Sequence, residues 1–350
     1  MIRNRNLLLL GGVLAALILV SILQQVSHRR AVSRPAQSQL LPAPFVKDEL
    51  TRIVLGQGRD STAVVLERLP DKWVARTAYG HPASQQKVDD LIKNLSDLRG
   101  EFRSKSADVL ADYSLDDEHA VSVTLFGKDF QPVLRLLIGR KPAGASGDFV
   151  RRPGDNAVYL TGASLLTGMG LWSGPAKPQS RHFLELQAYE AARDDIDAII
   201  LDDEGRLTEL VKDIQTPASP PVAVAGDSTA AAGPDRSIYE WRMVRPRAKP
   251  ALKTKADGVL NAAVLIRAAD VADPRGSFEA YGLWKAARKA TLRFRTGQEF
   301  TLFFGATRPA QGDTPGGVYM RTDAADTIWI VRDSLVSTIF PKPEELLAAK

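Results

Sequence analysis

Val88, Leu91, Ile92, Leu95 and Leu98 fall at spacings of 3, 1, 3 and 3, with polar residues between most of them. That period puts one apolar stripe on an amphipathic helix. The same spacings recur at Ala256, Val259, Leu260, Ala263 and Ile266. Pro82 and Pro250 precede the two stripes at matching distances, where a proline costs a helix little. Further on the period changes. Val121, Val123 and Leu125 alternate with Ser122 and Thr124, and Ala290, Leu292 and Phe294 alternate with Thr291, Arg293 and Arg295. Alternation predicts strands with one buried and one wet face, as in antiparallel sheets. Residues 133–138 and 300–304 read as the next strands, and each is followed by a glycine, Gly139 or Gly305. Residues 158–160 and 328–330 read as the last. Before the helices, residues 52–55 and 63–66 flank a Gly/Asp turn, as do 198–201 and 207–211, which predicts two hairpins. A third strand carries Trp73 or Trp241.

The chain therefore contains itself twice. Trp73 and Trp241, Tyr113 and Tyr281, and Leu115 and Leu283 are each 168 residues apart. Gly139 and Gly305 are 166 apart; Arg151 and Arg321, like Tyr159 and Trp329, are 170 apart. A period this long is a duplicated domain, not a solenoid repeat. The expected class is α+β, with two tandem domains, each a mainly antiparallel sheet with one long amphipathic helix. The strand order cannot be read from the pattern. Positions shared by the copies serve folding, so function is expected where the copies differ or meet.

The first residues are a different material. Residues 1–6 form a short basic flank. Residues 7–23 carry no charge, and the apolar character reaches Val26. At 1.5 Å per residue this stretch spans roughly 25–30 Å, enough for one bilayer crossing. No small-x-small cleavage site follows closely, so residues 7–26 read as an uncleaved transmembrane anchor rather than a signal peptide. Residues 27–46 read as a juxtamembrane stalk, 47–170 as repeat domain one, 171–190 as a join, 191–341 as repeat domain two and 342–350 as a tail. Residues 216–234, rich in Pro, Ala and Ser, read as a flexible insertion into domain two. The basic flanking residues on either side of the anchor balance, so orientation rests on the short amino-terminal flank. This favours the bulk of the chain outside the cytoplasm, in a periplasm if the cell has one.

Net charge is +5, but residues 1–46 hold five arginines and no acid. Removing those from the 46 basic residues leaves 41, equal to the 41 acidic ones. The remainder has no excess with which to bind nucleic acid. The absence of cysteine excludes disulfides, thiolate metal sites and a Cys nucleophile. The four histidines, His28, His81, His119 and His182, have no metal-ligand spacing. There is no GxSxG elbow and no P-loop. The acid pairs Asp89-Asp90, Asp116-Asp117, Asp194-Asp195 and Asp202-Asp203 read as turn and helix-surface residues. Arg151 and Arg321 read as making contacts within their own domains. No catalytic, cofactor-binding or metal residues are assigned. Trp172, Trp284 and Trp329 lack Trp counterparts in the other copy, so their exposure would be informative.

Residues 111–115 (ADYSL), then VSVTL, LRLLIG, FVRR and AVYL, resemble the bacterial domain-of-unknown-function family 4340. So do EAYGL at 279–283, ATLRF, TLFFG, GGVYMR and TIWIV. The first copy departs from the usual Tyr-Gly-Leu at Ser114. The resemblance implies a single-pass protein of the bacterial inner membrane with its domains in the periplasm, often encoded beside gliding-motility-type ABC transporter components, and supplies no catalytic residues. The expected function is that of a non-enzymatic accessory protein of an ABC-type transport or cell-envelope system. Its duplicated domains would bind transporter components, other envelope proteins or cargo. The alternative is an envelope hydrolase acting on glycan or lipid, with a site assembled from distant residues.

Overall fold

A computed structural model of the chain describes residues 38–39, 45–58, 61–144, 146–214 and 239–347. The anchor at 7–26 and the insertion at 216–234 lie outside the described residues. Among the described residues no helix is long and apolar enough to cross a membrane. Two compact units are present: the described parts of Met1–Thr77 with Ser84–Phe183, and Ala78–Ala83 with Leu184–Lys350.

In the first unit the strands are β1 (Ser38–Gln39), β2 (Arg52–Gln57), β3 (Val64–Arg68), β4 (Trp73–Ala75), β6 (Arg99–Ser104), β7 (Val121–Phe126), β8 (Pro132–Ile138), β9 (Phe149–Arg151) and β10 (Val158–Thr161). They lie in the order β1-β6-β10-β9-β8-β7-β2-β3-β4. The short strand β5 (His81–Pro82) belongs to the second unit's segment Ala78–Ala83. The second unit adds β11 (Gln187–Glu190), β12 (Ile196–Asp203), β13 (Arg206–Ile214), β14 (Tyr239–Arg245), β15 (Lys249–Pro250), β16 (Leu265–Arg267), β17 (Asp270–Val271), β18 (Arg288–Phe294), β19 (Glu299–Arg308), β20 (Gly317–Thr322) and β21 (Trp329–Val331). Its large sheet runs β15-β14-β13-β12-β18-β19-β20-β21-β17. Strand for strand, β4-β3-β2-β7-β8-β9-β10-β6 repeats as β14-β13-β12-β18-β19-β20-β21-β17. The pairings are antiparallel. A different order would have broken the repeat reading.

The long helices fall where the stripes put them. They are α1 (Gln85–Ser96) and α3 (Lys253–Val264), each twelve residues long and 168 apart. Val88, Leu91, Ile92 and Leu95 are buried, as are Ala256, Val259, Leu260 and Ala263. Each is accompanied by a shorter helix, α2 (Leu165–Gly168) beside α1 and α4 (Asp333–Ile339) beside α3.

The repeat extends further than the sequence divisions. The turn Ser180–His182, within the expected join, answers the turn Pro343–Leu346, within the expected tail. Ser84 N–H donates to Phe183 O at 2.7 Å, and Leu252 N–H donates to Leu346 O at 2.8 Å. Ser38–Gln39, inside the expected stalk, pairs with Gly100 and Arg99, as β11 pairs with β16.

Tyrosines repeat as core. Leu115, Phe149 and Val158 form a cluster with Leu110, Tyr113, Leu137 and Leu160. Leu283, Ile328 and Ile330 form its counterpart with Phe278, Tyr281, Phe303 and Tyr319. The Tyr113–Phe149 and Tyr281–Tyr319 ring centroids are 4.2 and 4.5 Å apart. The residue after each tyrosine takes a left-handed backbone, Ser114 at φ 53° and Gly282 at φ 68°. Serine pays a Cβ strain there that glycine avoids. Ser114→Gly is expected to raise stability by up to about 1 kcal/mol and Gly282→Ser to lower it by about 1–2 kcal/mol, as read by denaturant titration. A loss in Ser114→Gly would show that the hydroxyl contributes more than the strain costs.

Candidate binding cleft

A concavity with a volume of about 220 Å³ lies wholly in the second unit. One wall is the segment Ala78–Ala83, which supplies Ala78, Tyr79, Gly80, His81 and Pro82. The other is Val271, Ala272 and Pro274 with Thr327 and Ile328. This volume suits one large side chain. The segment is fixed at its far end: Glu185 N–H donates to Pro82 O at 2.9 Å, and Ala83 bridges to Leu184. His81 Nε2 lies 2.8 Å from Glu185 O, and its ring meets the Trp329 ring edge-on at 5.0 Å. Burial pushes the imidazole pKa down, against the pull of the Glu185 carbonyl, so His81 is neutral at pH 7. Pro274 is flanked by the Asp273–Arg275 ion pair at 2.6 Å. That pair is exposed to solvent, and the guanidinium holds the Asp273 carboxyl down to about 2.

Tyr79 is the unusual member. It sits at φ 59° and is 52% exposed at the lip of the cleft. A bulky residue in the left-handed region is a backbone outlier that costs about 1–3 kcal/mol. Sequence reasoning missed this site because nothing local in AYGHPA says that the segment packs with residues some 190 positions away. The available signal was a difference between the copies: the segment's counterpart, residues 246–251, reads PRAKPA.

The other two described histidines are engaged locally. His119 Nδ1 lies 2.7 Å from Asp116 Oδ1, and His182 Nε2 lies 3.1 Å from Gly168 O. Two acids of the expected pairs serve turns and ion pairs. Asp116 accepts from Glu118 N–H and His119 N–H, and Asp203 meets Arg206 and Arg288. Buried Asp148 accepts from Leu166 N–H at 2.9 Å and Ser164 Oγ, closing the start of α2; burial raises its pKa. Among the described residues no group of three His, Asp or Glu is placed to hold a metal ion.

The repeated arginines make contacts within their own units. Arg151 Nε donates to Leu115 O at 2.7 Å and pairs with Asp117. Arg321 stacks its guanidinium 3.9 Å from the Phe303 ring. Of the three unmatched tryptophans, Trp329 is buried, while Trp172 and Trp284 are exposed. Trp284 replaces Asp116 at the equivalent turn.

Lys212 resembles a reactive lysine, because burial pushes its pKa down to about 8, with Asp194 pulling the other way. Its Nζ donates to Arg193 O at 2.7 Å, in the turn Arg193–Asp195. Its counterpart opposite the repeated tryptophan, Arg68, donates to Asp48 O at 3.1 Å in the turn Lys47–Glu49. A cation that fastens the same turn in both copies serves folding. The unfolded value is 10.5, so between about pH 8 and 10.5 the folded state binds fewer protons than the unfolded state. Stability is therefore expected to rise with pH through that window. Lys212→Met should flatten this rise in a chemical-denaturation series; an unchanged slope would mean that Lys212 keeps its proton in the fold.

The sequence pattern of a family described as Domain of unknown function (DUF4340) matches residues 73–220. The match supports that family. It runs from Trp73 through the rest of the first unit and past the end of β13. No curated protein and no solved structure matches the chain.

Proposed function

We propose that this chain is a non-enzymatic, membrane-anchored accessory protein that binds an envelope protein, of the ABC-transporter-associated kind, at the Tyr79–His81 cleft. Tyr79 carries this reading: a large aromatic is held in a costly backbone conformation and left half-exposed at the mouth of a cleft of mixed polar and apolar lining. Such strain is retained where a side chain has work outside the fold. A cleft of one-side-chain size with an aromatic lip suits an anchoring residue of a partner. Exposed Trp284, in the same unit, offers further contact area where the copies differ. The apolar segment at 7–26 would hold the units at the membrane and raise their local concentration near a membrane-embedded partner.

Tyr79→Gly separates binding from folding, because glycine relieves the strain. The variant should be at least as stable as the parent, yet lose its partner in affinity purification from native membranes. Undiminished recovery of the same partner with Tyr79→Gly would remove the cleft from the proposal. Anchoring is tested separately. The mature protein should keep its amino terminus and stay with membranes through carbonate washing, and added protease should digest it in spheroplasts but not in intact cells. A soluble mature form beginning near residues 31–39 would end the anchor reading.

A further inference from the structure

The two copies differ in what covers one end of the sheet. In the second unit Val271 and Trp329 are cross-strand partners, only 6% and 8% exposed. The segment Ala78–Ala83 accounts for this cover, with His81 edge-on to Trp329 and the Tyr79–Pro82 wall facing Val271 across the cleft. Their counterparts in the first copy are Phe102 and Tyr159, cross-strand partners at the same place, with ring centroids 5.9 Å apart. Phe102 is 51% exposed. The covering segment also has a counterpart. It is residues 246–251, displaced by 168, which contains the edge strand β15 and is exposed from Arg245 through Pro250. Duplication has thus made two arms and two receiving faces. One arm meets one face within the second unit; an arm at 246–250 and a face at Phe102 are left over.

We infer that the arm at residues 246–250 docks onto the Phe102–Tyr159 face of a second copy of this chain. The arm's chemistry fits. Pro250 stands where Pro82 stands, and Arg247 and Lys249 suit the faces of two aromatic rings. β6 also carries Arg99 and Arg103, and Arg103 is held by Glu101 at 3.2 Å, so the rings rather than net charge supply the attraction. Arm and face are different surfaces, so the contact is heterologous. Each association leaves a free arm at one end and a free face at the other, giving head-to-tail growth rather than a closed pair. The contact is separate from partner capture at the cleft: Tyr79→Gly leaves it intact.

The absence of native cysteine makes a direct test simple. Full-length Phe102→Cys and Lys249→Cys chains, kept in detergent on account of the apolar segment at 7–23, are mixed under mild oxidation. The mixed pair should form disulfide-linked dimers about tenfold or more faster than either variant alone, because docking raises the local thiol concentration. Sedimentation of the parent chain should show growth with concentration, lost in Phe102→Ser at an unchanged melting temperature. If Phe102→Ser lowers the melting temperature, the cross-linking comparison decides by itself. Equal rates for mixed and single variants, or a parent that stays monomeric at every concentration, would overturn the inference. So would capture by Phe102→Cys of a different protein in cells, with no link to a second copy.

Discussion

Leu260→Ala is expected to cost about 2–5 kcal/mol, toward the upper end of that range, and Leu91→Ala somewhat less. Both side chains are buried, at 0% and 1% exposure, on the core faces of α3 and α1. The difference comes from their neighbours. Along α1 the stripe holds Val88, Ile92 and Leu95 as well as Leu91, while along α3 the equivalents of Val88 and Leu95 are Ala256 and Ala263. Leu260 therefore fills a larger share of the space beneath its helix. Small flanking residues also leave fewer flexible side chains to collapse into a cavity, and cavity volume is what spreads the cost of such truncations. Denaturant titration of the two variants measures this. A loss under about 0.5 kcal/mol in either would put that residue on a surface, contrary to its burial. A larger loss for Leu91→Ala would show that α1, not α3, is the less adaptable seat.

The helices and inner strands were legible because burial there follows a local period. Val121, Val123 and Leu125 are fully buried on β7, with Ser122 and Thr124 on the other face. The hairpin turn at Glu204-Gly205 was legible from its acid-glycine run, and both residues take positive φ, 55° and 85°. Alternation weakens where packing is one-sided: Phe294, expected on the buried face of β18, is only half-buried at its end. The strand order was illegible for a physical reason. Placing β6 beyond β10, and β17 beyond β21, depends on contacts across long loops that leave no periodic trace. The duplication compensated in part, since whatever the order is, it had to occur twice. The cleft was hidden more deeply. His81 and Tyr79 look like isolated surface residues, and only the tertiary position of Ala78–Ala83 gives them a common wall. Burial against Trp329 could not be deduced from a histidine whose counterpart is Lys249.

Gly139→Ala and Gly305→Ala should both destabilise their units, by about 1–3 kcal/mol or more. Neither glycine takes a positive φ, so the requirement is for space and not for backbone freedom. A Cβ on Gly139 would lie 2.1 Å from Tyr113 O, and one on Gly305 would lie 2.2 Å from Tyr281 O. Those oxygens belong to backbone already engaged: Arg140 N–H donates to Tyr113 O, and Ala306 N–H donates to Tyr281 O, each at 2.9 Å. Relieving the clash means moving the carbonyl, which lengthens that hydrogen bond. It also tilts the tyrosine out of the aromatic cluster it shares with Phe149 or Tyr319. A flexible side chain could yield cheaply; a bonded carbonyl cannot. The comparison with Gly144, which has nothing within 4 Å and takes φ 72°, separates the two roles of glycine. Gly144→Ala should lose only the strain of its turn, about 1–2 kcal/mol, and leave the near-ultraviolet tyrosine signal unchanged. Gly139→Ala and Gly305→Ala should change that signal along with stability. If either alanine variant keeps both parent stability and parent aromatic signal, the strand after the tyrosine turn has room the close approach denies, and the shared Tyr–Gly device is not what fixes the strand to that turn.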